Sequence, residues 1–274
     1  MRNEYRVPRS LLLLAVAFLV VAGCGSPDTP VAPGTTSSES AEKPEDVTTD
    51  SQLLILCGSS FRRPMEKLVE MYQEETGKEL ALSFGGSEDH WPHVELKAKG
   101  DFYVTHSPFM QKTADADSLL REVPVGFNAP VLVVAKGNPK KVESIEGLTA
   151  EGLRVVLPNP EYSTCGEMVF ALLKEKEILD DVLKNVGNAQ KRSHQEIGNA
   201  ISVGARDAGI MWNGVANGYL DKLDIVPAPY EYDEEIAVSV MGLSYTKHEA
   251  DVQAFLDFVE KHGQEVFAAF GYVK

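Results

Sequence analysis

The chain has 274 residues, 43% of them hydrophobic and 24% charged, which is enough apolar material for a sizeable core and for more than one lobe. Its formal net charge is −15, from 41 acidic against 26 basic residues, and no basic stripe runs through it, which argues against a nucleic-acid partner. So acidic a chain must hold any bound anion by local dipoles and neutral donors, against its own long-range field.

Arg2, Arg6 and Arg9 open the chain, followed at residues 11–22 by an apolar run too short for a comfortable membrane span. The run ends in "VAGC", the pattern of a bacterial lipoprotein signal: residues 1–23 are expected to be removed and Cys24 acylated. Lipid on Cys24 would hold the chain on a membrane without spanning it and place it in the cell envelope, facing the periplasm or the exterior. Residues 24–50, rich in Pro, Ser, Thr, Glu and Asp, have almost no large apolar side chain and read as a disordered tether.

Folded sequence begins near residue 51. "LLIL" at 53–56 is a short continuous apolar run suited to a strand buried on both faces. Met65, Leu68, Val69 and Tyr72 then recur at helical spacing, Pro64 sits in the first turn where its missing N–H costs least, and Gly77 ends the helix. "ELALSF" at 79–84 alternates as a second strand. Further strands are expected at 101–104, 129–135, 153–157, 208–212, 223–226 and 236–243. Thr164 with Glu167, and Ser193 with Glu196, have the spacing of capping boxes at helix starts. A last amphipathic helix carries Val252, Phe255, Leu256 and Val259. No repeat of fixed period is visible.

Strand and helix alternate throughout, so the fold class is α/β, whose ligands sit at the carboxyl ends of strands beside helix starts. Four expected helix starts carry hydroxyls: Ser60, Ser87, Thr164 and Ser193. First-turn amides lack internal partners and the helix dipole favours negative charge there, so these starts suit an anion as well as a plain cap.

The order of segments resembles the molybdate-type periplasmic binding proteins, the receptor subunits of ABC importers. "LLILCGSSFRRPMEKLVEMYQEETGKELALSFGGS" is similar to that family's opening, "LPNPEYSTCGEMVFALLKEKEIL" and "GARDAGIMW" to its second-lobe segments, and "VQAFLDFVEKHGQEVFAAFGY" to its closing helices. The resemblance implies a type II periplasmic binding protein of two lobes, each a mostly parallel sheet flanked by helices, with the ligand cleft between them. Lobe 1 would comprise 51–129 plus 229–274 and lobe 2 130–228, with crossovers near 128–131 and 226–230. It implies a monomeric receptor, without catalysis, cofactor or metal, that closes over a small tetrahedral oxyanion of the molybdate or tungstate kind and delivers it to ABC permease subunits. Carried over by position, Ser60 and Ser87 are the first-lobe hydroxyls, Cys165 and His194 second-lobe contacts, and Trp212 stands where the family has a tyrosine.

Two features depart from that pattern. Trp212 offers an indole N–H, a donor without acceptor capacity. Glu88 and Asp89 stand beside the expected anion site, where like charge is costly unless their side chains point away. Other readings stay open in the sequence. Cys57 and Cys165 could pair, could join His90 and His93 at a metal, or could act with His194 as a nucleophile pair. The chain could also be an orphan sensor or a metal-binding lipoprotein using the same cleft.

Overall fold

The computed structural model describes residues 52–227 and 236–273. Within them lie two five-stranded sheets flanked by helices, the expected α/β class. Cys24, the leader and the tether fall outside the described residues, and no described helix is long and apolar enough to cross a membrane.

The first sheet uses β1 (Leu53–Gly58), β2 (Leu80–Gly85), β3 (Phe102–His106), β4 (Leu119–Asn128) and β10 (Ile236–Leu243), in the order β2-β1-β3-β10-β4. Ile55, Leu56 and Cys57 are fully buried, as a strand covered on both faces requires. Helix α1 (Arg62–Thr76) buries the Met65, Leu68, Val69 and Tyr72 stripe and stops at Gly77, whose left-handed φ of 73° closes the last turn with its N–H donating to the Gln73 carbonyl. The closing helix α8 (Glu249–Ala269) covers the same sheet: the Phe255 ring lies 5.0 Å from Tyr72 and 5.1 Å from Phe102, both edge-on. Such pairs add about 0.5–1.5 kcal/mol each beyond their burial.

The second sheet uses β5 (Pro130–Ala135), β6 (Val155–Pro158), β7 (Gln190–Lys191), β8 (Ala208–Trp212) and β9 (Leu223–Ile225), in the order β7-β6-β8-β5-β9. The two sheets repeat one plan: four strands run one way and the fourth in order, β10 or β5, runs antiparallel to its neighbours. In each sheet the reversed strand is the one by which the chain arrives from the other. Helices α4 (Thr164–Glu175), α5 (Leu179–Val186) and α6 (His194–Ser202) pack around the second sheet, with Val169, Leu173, Val182 and Ile197 fully buried. The remaining helices are α2 (Ser87–Glu95), α3 (Phe109–Asp115) and α7 (Asn213–Asn217).

The capping pattern at Thr164 shifts by one residue. Ser163 is the cap, its Oγ accepting from the Gly166 amide at 3.4 Å, which leaves the Thr164 hydroxyl free for another partner. The Ser193–Glu196 box forms as expected, with reciprocal bonds of 3.1 and 3.3 Å.

Where β4 hands over to β5, one buried amide side chain ties the sheets together. Asn213 Oδ1 accepts from the Ala129 amide at 3.2 Å, while its Nδ2 donates to the carbonyls of Phe127 at 3.2 Å and Val273 at 3.1 Å. Asn213→Ala should remove these three hydrogen bonds at the junction and lower unfolding stability by about 1–3 kcal/mol. Urea denaturation checks this: an unchanged midpoint would mean that the junction does not depend on Asn213.

Candidate functional site

Six strands, three mutually parallel in each sheet, end at one cleft. The segments after β1, β2 and β3 form one wall and those after β6, β7 and β8 the other, around a cavity of about 250 Å³.

On the first wall, β1 and β2 pair in parallel with Gly58 opposite Gly85. Beyond Gly58, Ser59–Phe61 form a 3-10 turn into α1. The Ser59 hydroxyl donates back to the Gly85 carbonyl at 2.9 Å and is spent there. The Ser60 carbonyl accepts from the Tyr272 hydroxyl, whereas its side chain lines the cleft. Ser87, at the first turn of α2, is buried and lines the cleft, its Oγ accepting from the Thr105 hydroxyl at 2.9 Å beside the Tyr103 hydroxyl. β3 ends in His106, whose Nδ1–H donates to the Ser107 carbonyl at 2.6 Å.

On the second wall, His194 opens α6 and is buried. Its Nδ1 accepts from the Trp212 amide at 3.4 Å, which puts the imidazole proton on Nε2, 3.4 Å from Ser163 Oγ. The Trp212 ring lies between the two imidazoles, 5.8 Å from His106 and 5.6 Å from His194.

Three polar contacts cross from wall to wall. Gln195 Nε2 donates to the Ser59 carbonyl at 3.0 Å, Arg192 pairs with Asp89 at 3.1 Å, and the Thr164 hydroxyl donates to Glu88 Oε1 at 3.5 Å. The Asp89 carboxylate also accepts from the Gly86 amide at 3.1 Å. Burial raises the Glu88 carboxyl above its ordinary value, with the amides of Glu88 and Thr164 pulling the other way.

Ser60, Ser87, His194 and Trp212 therefore meet at one cleft, while Cys165 does not line it; its neighbour Thr164 does. Cys165 belongs to the second-sheet core and Cys57 to the first, both as free buried thiols, and His93 is exposed. Burial pushes both thiols up, which is opposite to what a nucleophile needs. Among the described residues, no group of three or more histidine, cysteine or acidic side chains is placed to hold a metal. Both acidic residues after Ser87 line the cleft instead of pointing away. His106, Arg192 and Gln195 were not singled out in the sequence; His106 could have been found by following the expected strand at 101–104 to its carboxyl end.

A two-sheet fold with a polar cleft at opposed strand ends is that of the two-lobed binding proteins. Residues 53–273 match the family described as bacterial extracellular solute-binding protein, and the chain belongs to it. It is 23% identical to the molybdate-binding protein ModA of Mycobacterium bovis over 265 residues, 95% of each chain. Among solved structures it is similar to the periplasmic molybdate-binding protein of Azotobacter vinelandii (18% identity, TM-score 0.66, covering 81% of this chain and 99% of the other). The sulfate-binding protein SubI of Mycobacterium tuberculosis H37Rv is alike to the same degree (18%, 0.66, 81% and 86%). The resemblance to molybdate-type periplasmic binding proteins thus holds at the level of family and fold.

The cleft floor is uncharged at neutral pH. Burial lowers His106 to about 4 against a backbone hydrogen bond that raises it, and burial, then the nearby His106, lowers His194 to about 3. Below the ordinary histidine value near 6.5 the unfolded chain takes up protons that the folded chain refuses, so stability falls as pH drops from 6.5 toward 4 and is fully present above 6.5. Denaturant midpoints at pH 7 and pH 5 should show this loss, and His194→Gln should make it shallower. An equal loss in the variant would show that His194 charges freely.

Proposed function

We propose that this chain is a lipid-anchored solute receptor of an ABC importer, which closes two lobes (51–129 plus 229–274, and 130–228) over a small tetrahedral oxyanion of the molybdate and tungstate size class. The observation that carries the reading is the convergence of six strand ends on one cleft lined by hydroxyl side chains. Ser60 and Ser87 would donate from the first lobe, and His194 and Trp212 would supply contacts from the second; Cys165, behind the lining, is replaced there by its neighbour Thr164. These donors are neutral and fixed by their own packing, so little entropy remains to be lost when the anion arrives. The family membership and the molybdate- and sulfate-binding relatives support an anion as cargo.

The cross-cleft bonds of Gln195, Arg192 and Thr164 would hold the closed form, the shape presented to a permease. The anchor would be acylated Cys24, and its signature is an acylated Cys24 N-terminus in mass spectra of the membrane fraction.

Calorimetry with tetrahedral oxyanions tests the reading. Ser60→Ala and Ser87→Ala each remove a buried hydrogen bond to a charged group, which costs about 1.5–3 kcal/mol of binding, roughly a tenfold to hundredfold rise in Kd. Ser59→Ala should leave affinity nearly unchanged, because its hydroxyl is already given to Gly85. Unchanged affinity in both the Ser60 and Ser87 variants would move the site elsewhere.

A further inference from the structure

Glu88 is the group the oxyanion reading does not absorb. It occupies the second position of α2, directly after Ser87, and lines the same cleft. Its neighbour Asp89 has its charge answered by Arg192 at 3.1 Å. Glu88 has no such counter-ion among the described residues: what holds its carboxylate are the Thr164 hydroxyl at 3.5 Å and backbone amides, all neutral donors. The carboxylate thus reaches the first turn of α4 from across the cleft that both residues line.

A fixed, half-buried carboxylate acts differently on two kinds of tetrahedral anion. Sulfate, molybdate and tungstate present only acceptor oxygens at neutral pH, and an acceptor facing a carboxylate at short range is repelled with nothing to offset it. Phosphate and arsenate keep one O–H in the same pH range, and an O–H donating to a carboxylate makes a short, charge-assisted hydrogen bond. A site built to take a ligand's O–H rejects the analogue lacking it far more strongly than a difference in size would allow. The hydroxyls of Ser60 and Ser87 supply the complementary donors on the same wall.

We propose that Glu88 is a specificity-determining residue that makes this cleft select a tetrahedral oxyanion carrying its own O–H, the phosphate and arsenate class, over fully ionised anions of similar size. The inference rests on the tetrahedral-oxyanion reading above and changes the anion it favours, from the molybdate and tungstate kind to one carrying an O–H. The ligand's O–H points at Glu88 while its remaining oxygens take the serine hydroxyls. The burial that raises the Glu88 carboxyl is consistent with this, because a desolvated carboxylate benefits most from a donor brought by the ligand.

Calorimetry at pH 8 on the wild-type chain and on Glu88→Gln, with inorganic phosphate, sulfate and molybdate as probes, tests this. The wild type should bind phosphate at least about a hundredfold more tightly than sulfate or molybdate. Glu88→Gln, whose amide can donate to either anion, should weaken phosphate, strengthen sulfate and bring the two within about tenfold of each other. Wild-type binding of sulfate or molybdate as tight as that of phosphate would overturn the inference and leave the oxyanion reading standing. An unchanged phosphate-to-sulfate ratio in a Glu88→Gln chain with a wild-type melting profile would also overturn it. Failure of every tetrahedral anion to bind the wild type would overturn both readings.

Discussion

The register of two parallel strands sets the geometry on which the cleft depends. Gly58 lies opposite Gly85, and a side chain added at 58 would stand 3.0 Å from the Phe61 ring and 3.1 Å from Ser87 Oγ. The absence of a Cβ at 58 leaves room for the Phe61 ring and the Ser87 hydroxyl to pack against the end of β1. The Ser59 hydroxyl adds one bond across these strand ends, to the Gly85 carbonyl at 2.9 Å. A slip of one residue would turn every side chain of the buried strand to its other face, so the core of the first sheet holds the cleft in register.

The second wall solves an electrostatic problem. The chain is strongly acidic, and two of its carboxylates face the cleft. Asp89 is answered by Arg192 from across the gap, and that guanidinium is steadied by the Tyr162 ring 4.2 Å beneath it. The floor consists of two neutral imidazoles and an indole, each with its orientation set by a backbone partner or a neighbouring ring. Of the two, Glu88 has no counter-ion among the described residues, and the proposed choice of anion falls to it.

Much of this was legible in the sequence, because it follows from periodicity and punctuation. The buried runs became strands, Gly77 ended its helix, and the Ser193 box formed. β4 was not legible: Arg121, Glu122 and Pro124 break the alternation of "LLREVPVGFN", yet the strand forms at the sheet edge, where a proline is tolerated, beside a register shift in β10 at Val238/Ser239. Arg121 instead reaches α8, with Asp257 at 2.5 Å and Glu260 at 2.8 Å. The cap at Ser163 was missed because Thr164 and Glu167 imitate a box one residue along. The placements of Cys165 behind the lining and of Thr164 against Glu88 depend on how two walls distant in sequence meet, and no local pattern encodes that.

A ligand bound in the cleft between the sheets lies beside Trp212, which reports on it directly. The chain has two tryptophans, so Trp91→Phe leaves Trp212 as the only indole, set against His106 and His194 on the cleft floor. Titrating this variant with the oxyanion that calorimetry shows to bind should give a saturable change in Trp212 emission, with the same Kd as the calorimetric one. Calorimetric binding with no change in Trp212 emission would contradict the account and place the ligand outside the cleft.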